Sequence, residues 1–226
     1  DMKVLILPDH TSQVEQLASH FACPISNLTE IVQRTIRRQE TQRLKSTDAE
    51  LILEPIAGTP SLIIFGGGHV SKFVSRIASL TGFRVTIVDD REKYANAKRF
   101  PEAIKTLVVD YTEAFKWLKV SASTFILIVT RGHEFDERLL EQALRTPAKY
   151  IGMIGSKRKV LTTYKHLIER GISIEQLRRV HAPVGIEINA VTAEEIAISI
   201  VAQLVNVRRG GTDMIHNKSE EMIERL

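Results

Sequence analysis

Residues 62–71 constrain the fold of this chain more than any other segment. The apolar run 62–65 is followed at once by Gly66, Gly67 and Gly68. A continuous apolar run is typical of a strand that is buried on both faces of a parallel sheet. Glycines let phosphates approach the backbone closely, and a helix that begins there presents free N–H groups to an anion. The segment therefore favours a nucleotide-type binding unit over a tight turn without a ligand, although Ser71 replaces the third glycine of the usual fingerprint.

A second apolar run ends at Asp89, about one half of a βαβ unit further along the chain. An acidic residue at this position can accept hydrogen bonds from ribose hydroxyls. We expect Asp89 to contact a ligand hydroxyl, and Asp90 to be solvated or paired with Arg91. Because neighbouring strand residues point to opposite faces, a catalytic pair of carboxylates is not expected here.

Composition limits the classes of protein to consider. The chain has 226 residues, a net charge of +4 and one cysteine, Cys23, which fits a reducing compartment. The mild charge suits an anionic small molecule at least as well as nucleic acid, and no platform of aromatic and basic residues favours nucleic acid. No apolar stretch reaches the roughly 18 residues of a membrane span, and no signal peptide opens the chain. We expect a cytoplasmic protein without nucleic-acid or membrane partners.

The pattern of elements predicts a small α/β segment over residues 1–58 and a larger domain over 59–226. In the first part we expect a strand at 4–7, a helix with Val14, Leu17, Ala18 and Phe21 on one face, a helix at 28–39, a polar stretch and a strand at 51–53. In the second part, strands are expected at 62–65, 84–88, 106–109, 125–129 and 150–154, with helices between them, one of which runs from about Asp136 to Leu144. This alternation predicts a doubly wound, Rossmann-like parallel sheet with the strand order 3-2-1-4-5.

The last predicted helix follows a capping box formed by Thr192 and Glu195. Beyond it, apolar residues continue to Val207 and leave little polar face. Such a helix is either deeply buried or half covered by a second chain. We therefore expect a homodimer with this helix in its interface.

Ligands of such sheets bind beyond the carboxyl ends of the strands. The residues that follow four predicted strands are therefore the candidate cofactor-binding residues: Gly66, Gly67, Gly68, His69, Val70, Asp89, Asp90, Arg91, Thr130, Arg131, Gly132, His133, Gly155, Ser156, Lys157 and Arg158. Residues 155–158 are typical of a second anion site, because two cations in the first turn of a helix oppose its dipole unless an anion is bound. The alternative is a solvated basic helix start.

No catalytic or metal-binding residue is assigned from the sequence. His69, His133 and His181 could converge on a metal, but their spacing carries no ligand pattern, so contact with a phosphate or pterin, or a structural hydrogen bond, is preferred. No nucleophile–base pair can be assigned from the spacing of the residues. A binding protein is favoured over an enzyme. The alternatives are an NAD(P)-dependent oxidoreductase, with those histidines as its only candidate proton donors, and a nucleotide-sensing regulatory module.

Several segments together resemble the XdhC family of accessory proteins for molybdenum hydroxylases such as xanthine dehydrogenase. The resemblance covers about residues 53–210, and the matching segments are 54–55, 65–70, 82–91, 99–101, 130–133, 150–156, 181–185, 194–197 and 208–210. It implies a dimer with a C-terminal Rossmann domain that binds a molybdopterin-type cofactor and helps to insert it into an apo-hydroxylase. It also implies that Arg131, Lys157 and Arg158 meet the ligand's phosphate. The glycine-rich N-terminal segment that is usual in the family is not found before Gly58.

Overall fold

The computed structural model describes residues 11–20, 25–38, 40–45, 50–55, 58–211 and 218–226. The chain divides into two compact units, one of Asp1–Gly58 with Arg208–Gly211 and one of Thr59–Val207 with Thr212–Leu226. The predicted strand at 4–7, together with Phe21 and Cys23, lies outside the described residues.

In the residues that the structure describes, the smaller unit contains two helices and one hairpin. Its elements are α1 (Thr11–His20), α2 (Ile25–Arg38), β1 (Gln42–Lys45) and β2 (Glu50–Leu53). Apolar residues at helical spacing on α1 and α2 pack with Leu53 into a small core that includes Val14, Leu17 and Leu28. The polar stretch predicted before β2 contains β1, a strand that was not predicted. It pairs antiparallel with β2 in the register Gln42↔Leu53.

The larger unit is built on six parallel strands. Its elements are β3 (Ser61–Phe65), α3 (His69–Leu80), β4 (Arg84–Asp89), β5 (Lys105–Val108), a 3-10 helix (Ala114–Trp117), β6 (Thr124–Ile128), α4 (His133–Leu144), β7 (Tyr150–Met153), α5 (Lys157–Glu169), α6 (Ile174–Leu177), β8 (Val180–His181), α7 (Ala193–Arg208) and α8 (Lys218–Ile223). The strand order is β5-β4-β3-β6-β7-β8. This confirms the doubly wound sheet and the predicted order, and β8 adds a sixth strand.

Both faces of the sheet are covered, which explains the continuous apolar run in β3. Leu62 and Ile64 belong to one core with residues of α3 and α7. Ile63 and Phe65 belong to the other core, with residues of α4, α5 and α8. Since side chains alternate between the two faces, every residue of 62–65 must be apolar to bury both cores.

Helix α7 packs on the sheet with one face and leaves part of its surface open. Ala197, Ile200 and Leu204 are fully buried, whereas Ile198 is 53% exposed. The predicted capping box is present, because the Glu195 N–H donates to Thr192 Oγ1 (3.3 Å) and the Thr192 N–H donates to Glu195 Oε2 (3.0 Å). Among the helices of the described residues, none is both long and apolar enough to cross a membrane.

Three features of the larger unit differ from the sequence prediction. Helix α4 begins at His133, three residues before the expected start at Asp136, because Gly132 adopts the extended conformation that precedes a helix. Strand β8 and the short helices α6 and α8 were not predicted. They have two, four and six residues, which is too short for a hydrophobic period to be visible.

Candidate functional site

The carboxyl ends of all six parallel strands meet at one edge of the sheet, which we call the rim. The structure brings the sequence-predicted residues together there, since 66–70 follow β3, 89–91 lie at the end of β4, 130–133 follow β6 and 155–158 follow β7. In sheets of this type, the ligand crevice lies where the strand order reverses, which here is between β3 and β6. The position of these residues is therefore suitable for binding, while their ligand contacts remain predictions.

The turn between β3 and α3 leaves no room for a side chain at its first two positions. Gly66 has a φ of +101°, and a Cβ at this position would overlap the Val129 carbonyl oxygen. A Cβ on Gly67 would overlap the Tyr94 carbonyl oxygen. Gly68 differs, since a Cβ there would meet nothing within 4 Å. The turn is thus packed tightly at its first two glycines and open at its third.

The side chain of Asp89 holds this turn in place. The carboxylate is completely buried; it accepts hydrogen bonds from the Gly67 N–H (2.8 Å), the Arg91 N–H (3.1 Å) and Arg91 Nε (2.9 Å). Both oxygens accept hydrogen bonds from the chain, so Asp89 positions the glycine turn. Its contact with a ligand hydroxyl stays a prediction.

Arg99 and Tyr94 complete the support of the turn, and neither was predicted as a site residue. Arg99 Nε donates to the Gly67 carbonyl (2.9 Å), and Nη2 donates to the Gly68 carbonyl (3.2 Å). The Arg91 guanidinium lies 3.7 Å from the centre of the Tyr94 ring. A usable signal was the length of the connection between β4 and β5, residues 90–104, which is longer than most loops in compact domains.

Asp90 and Arg131 form a two-pronged ion pair. Arg131 Nη1 donates to Asp90 Oδ1 (2.6 Å) and Nη2 donates to Oδ2 (2.7 Å), while the guanidinium lies 4.8 Å from the centre of the Phe135 ring. The hydrogen bonds from Arg131 hold the pKa of Asp90 below its usual value. Arg91, the predicted partner of Asp90, also forms an ion pair with it, with Nε 3.4 Å from Oδ1, although Arg91 lies closer to Asp89.

A second buried carboxylate, Asp136, holds the turn between β6 and α4. It accepts from Thr130 Oγ1 (2.5 Å) and Thr130 N–H (3.2 Å), and it pairs with Lys159 Nζ (2.5 Å) on α5. Asp136 is completely buried. Sequence reasoning placed Asp136 only at a helix start. The Lys159 partner lies 23 residues away, and no local pattern connects the two.

The start of α5 carries the predicted basic residues. Ser156 caps the helix by accepting from the Lys159 N–H (3.3 Å). Lys157 Nζ pairs with Glu221 of α8 at 2.8 Å. Glu221 therefore balances the charge of Lys157, and Asp136 balances that of Lys159 in the same turn, while anion binding at residues 155–158 stays a prediction.

A cleft of about 610 Å³ lies between α4 and α5, beside the crevice. Most of its lining side chains are basic or polar, and they include His133, Arg138, Ser156, Arg158, Lys159 and His166. Arg158 therefore faces this cleft. Residues 66–70 and 89–91 do not line it.

The three histidines considered as a metal site have separate environments. His69 is exposed and lies edge-on to Phe73, His133 begins α4, and His181 stacks on Tyr150 with ring centres 4.5 Å apart. Burial lowers the pKa of His181 to about 4, and its Nδ1 has no hydrogen-bond partner. Within the described part of the chain, no group of three or more histidine, cysteine or carboxylate side chains is arranged to hold a metal ion.

These features define a Rossmann-like α/β protein with a supported glycine turn and paired cations at one rim. The sequence profile of the XdhC Rossmann domain matches residues 62–204. The chain therefore belongs to the XdhC Rossmann-domain family, as the resemblance predicted.

Three relatives extend this result. The uncharacterized protein YqeB of Escherichia coli is 33% identical over 150 residues, which cover 66% of this chain and 27% of YqeB. A protein of Bacillus subtilis, named as a probable subunit of xanthine dehydrogenase, is 26% identical over 180 residues, which cover 79% of this chain and 52% of that protein. A crystal structure described as a xanthine dehydrogenase from Bacillus halodurans is 31% identical, with a TM-score of 0.59 over 71% of this chain and 46% of that chain. The chain thus spans about half or less of these relatives.

Proposed function

We propose that this chain is an accessory protein that binds a molybdopterin-type cofactor at the rim and supports its insertion into a xanthine dehydrogenase-type hydroxylase. The observation that carries the proposal is family membership, together with two relatives whose names refer to xanthine dehydrogenase. The partner is then the apo-hydroxylase. A binding protein needs no catalytic residues of its own, and none is assigned in this proposal.

The residues at the rim fit the phosphate of such a cofactor. Helices α3 and α4 begin after Gly68 and Gly132, and neither start has a side-chain cap hydrogen bond. Their first N–H groups are thus suited to an anion, and a phosphate can approach Gly68 because the space beside it is open. Arg131 adds a guanidinium at the same edge, with the planar geometry that binds phosphate oxygens in pairs.

In this proposal the chain binds and orients, while the cofactor supplies the molybdenum chemistry of the hydroxylase. The backbone of 68–70 and Arg131 hold the phosphate. Asp89 and Arg99 fix the conformation of the glycine turn through their hydrogen bonds to Gly67 and Gly68. Lys157 and Arg158 contribute positive potential from the start of α5.

One observation weighs against the alternative of an NAD(P)-dependent oxidoreductase. Such enzymes use the acid at the end of the second strand to bind ribose hydroxyls. Here that acid is Asp89, whose carboxylate is fully buried and bonded to Gly67 and Arg91. A pterin phosphate requires no such contact, so the proposed ligand is compatible with this arrangement.

Mass spectrometry of the protein purified from a host that makes molybdenum cofactor tests the proposal directly. We expect a molybdopterin species to co-purify, and to be lost from the Arg131→Ala variant. We also expect the loaded protein to restore activity to an apo-xanthine dehydrogenase. Recovery of NAD(H) instead, or of no pterin from any preparation, would contradict the proposal.

We further propose that the exposed side of α7 forms a homodimer interface. Ile198 is 53% exposed on a helix that is otherwise largely apolar. Light scattering at micromolar concentration is expected to give twice the mass of the chain, and Ile198→Glu is expected to give the monomer mass. Glu194→Lys is a control for charge on the same helix. A monomeric wild-type chain would exclude this interface.

A further inference from the structure

The Asp90–Arg131 ion pair crosses the ligand crevice. Asp90 follows β4, Arg131 follows β6, and β3 lies between these two strands. Neighbouring strands are about 4.8 Å apart, so the pair spans two strand spacings, roughly 10 Å. It therefore passes above the carboxyl end of β3, where the glycine turn begins.

The contacts of the glycine turn support this placement. The Gly66 N–H donates to the Val88 carbonyl of β4 (2.7 Å), and the Cβ position of Gly66 lies against the Val129 carbonyl at the end of β6. The turn is thus seated between the two strand ends that the ion pair connects. A phosphate that approaches Gly68 must share this space with the pair.

The pair can exchange its partners at low cost. The side chains of Arg131 and Asp90 are 40% and 22% exposed, so water can solvate both groups. Without Arg131, Asp90 still has Arg91 Nε at 3.4 Å. Without Asp90, the Arg131 guanidinium still lies over the Phe135 ring. Neither charge is left buried and unpaired when the bridge opens.

We propose that Asp90 and Arg131 form a bridge across the crevice that opens when a phosphorylated ligand binds. The ligand's phosphate replaces Asp90 as the partner of the Arg131 guanidinium, while Asp90 stays paired with Arg91. Because Asp90 competes with the ligand for Arg131, it lowers the affinity of the chain for the ligand and promotes release of the ligand. A carrier that must hand its cargo to an enzyme requires such release. This inference rests on the proposed function only for the presence of a phosphate group on the ligand.

The test uses inorganic pyrophosphate as the probe, with titration calorimetry on the wild-type chain, Asp90→Asn and Arg131→Gln. Asp90→Asn is expected to bind pyrophosphate roughly threefold to tenfold more tightly, because one exposed ion pair no longer competes. Arg131→Gln is expected to bind at least about tenfold more weakly, since a charge-assisted pair of hydrogen bonds is lost. Thermal midpoints confirm that each variant is folded.

Asp110→Asn is the matched control. Asp110 lies just beyond β5 at the same rim, and its carboxylate accepts from the hydroxyl and the N–H of Thr112. Removing this charge is expected to change the pyrophosphate affinity less than about twofold, because the charge is exposed and screened by salt. If Asp110→Asn gained as much pyrophosphate affinity as Asp90→Asn, the effect would come from net charge, and the proposed bridge would be wrong.

Two other outcomes overturn the inference: unchanged or weaker binding by Asp90→Asn, and no binding of pyrophosphate by either the wild type or Asp90→Asn. Failure of the proposed function looks different. If Asp90→Asn binds pyrophosphate more tightly while no molybdopterin co-purifies with the chain, the bridge stands and the cofactor assignment fails. If molybdopterin co-purifies while Asp90→Asn gains nothing, the cofactor assignment stands and the bridge fails.

Discussion

Two neighbouring carboxylates at the rim, Asp89 and Asp90, have the same chemistry and opposite environments. Asp89 is fully buried and holds the glycine turn, whereas Asp90 is partly exposed and holds Arg131. The same contrast recurs at the other side of the rim. Buried Asp136 holds Thr130 and Lys159, while Glu221 pairs with the half-exposed Lys157. The buried carboxylates thus fix the backbone, whereas the partly exposed carboxylates pair with cations that could also bind a ligand.

The largest effect on stability is expected from Asp89→Ala. The substitution leaves the Gly67 N–H unpaired in a buried site and removes the closer of the two carboxylates that pair with Arg91, so the free energy of unfolding should fall by about 3 to 4 kcal/mol. Asp90→Ala, one residue further on, should cost less than about 1 kcal/mol. Urea unfolding of both variants measures the difference. Equal losses of unfolding free energy in the two variants would show that burial does not decide how much each carboxylate stabilises the fold.

The next effect concerns acid and the buried His181. Its pKa is about 4 in the folded chain, while the ordinary value is 6.5, so the unfolded chain binds a proton that the folded chain does not. Stability from this group is complete above pH 6.5 and is lost as the pH falls towards about 4, by about 3 kcal/mol in total.

His181→Phe should remove that part of the pH dependence and keep the stack on Tyr150. The free energy of unfolding of the variant and of the wild type, measured at about pH 7 and about pH 4.5, gives the difference. Identical acid losses in the two proteins would show that His181 is not the group responsible.

The glycine turn offers a comparison within three residues. Gly67→Ala should destabilise the fold by about 2 to 3 kcal/mol, because the new Cβ meets the backbone of Tyr94. Gly68→Ala should cost less than about 1 kcal/mol, since the space beside Gly68 is open. Thermal unfolding provides both values. A large loss for Gly68→Ala would mean that the turn is closed on the ligand side as well.

The smallest effect is expected for Glu221→Ala. The Lys157–Glu221 pair is exposed at both ends, with side-chain exposures of 52% and 29%, and exposed pairs contribute less than about 1 kcal/mol. Chemical denaturation of the variant tests this value. A loss above about 2 kcal/mol would show that this pair stabilises the fold as the buried pairs of Asp89 and Asp136 do. Lys157 would then not be available to a ligand.

The sequence predicted the sheet well because strand formation there depends on local patterns. Runs such as 62–65 and 125–129 are apolar throughout, and Gly66 and Gly82 mark the ends of elements. Strand β1 was missed since its residues alternate between half-buried and exposed and include three polar ones. Strand β8 was missed because it has only two residues.

The sequence by itself determined the fold class, the order of five of the six parallel strands and the loops that gather at the rim. These follow from hydrophobic periodicity and from glycines at strand ends, which act over a few residues. Only the tertiary structure decided which charges meet. Asp89 reaches Gly67 across 22 residues, Arg131 reaches Asp90 across 41 and Lys157 reaches Glu221 across 64. Such pairings depend on where packing of the cores brings the strand ends and helices together, and a local pattern carries no information about them.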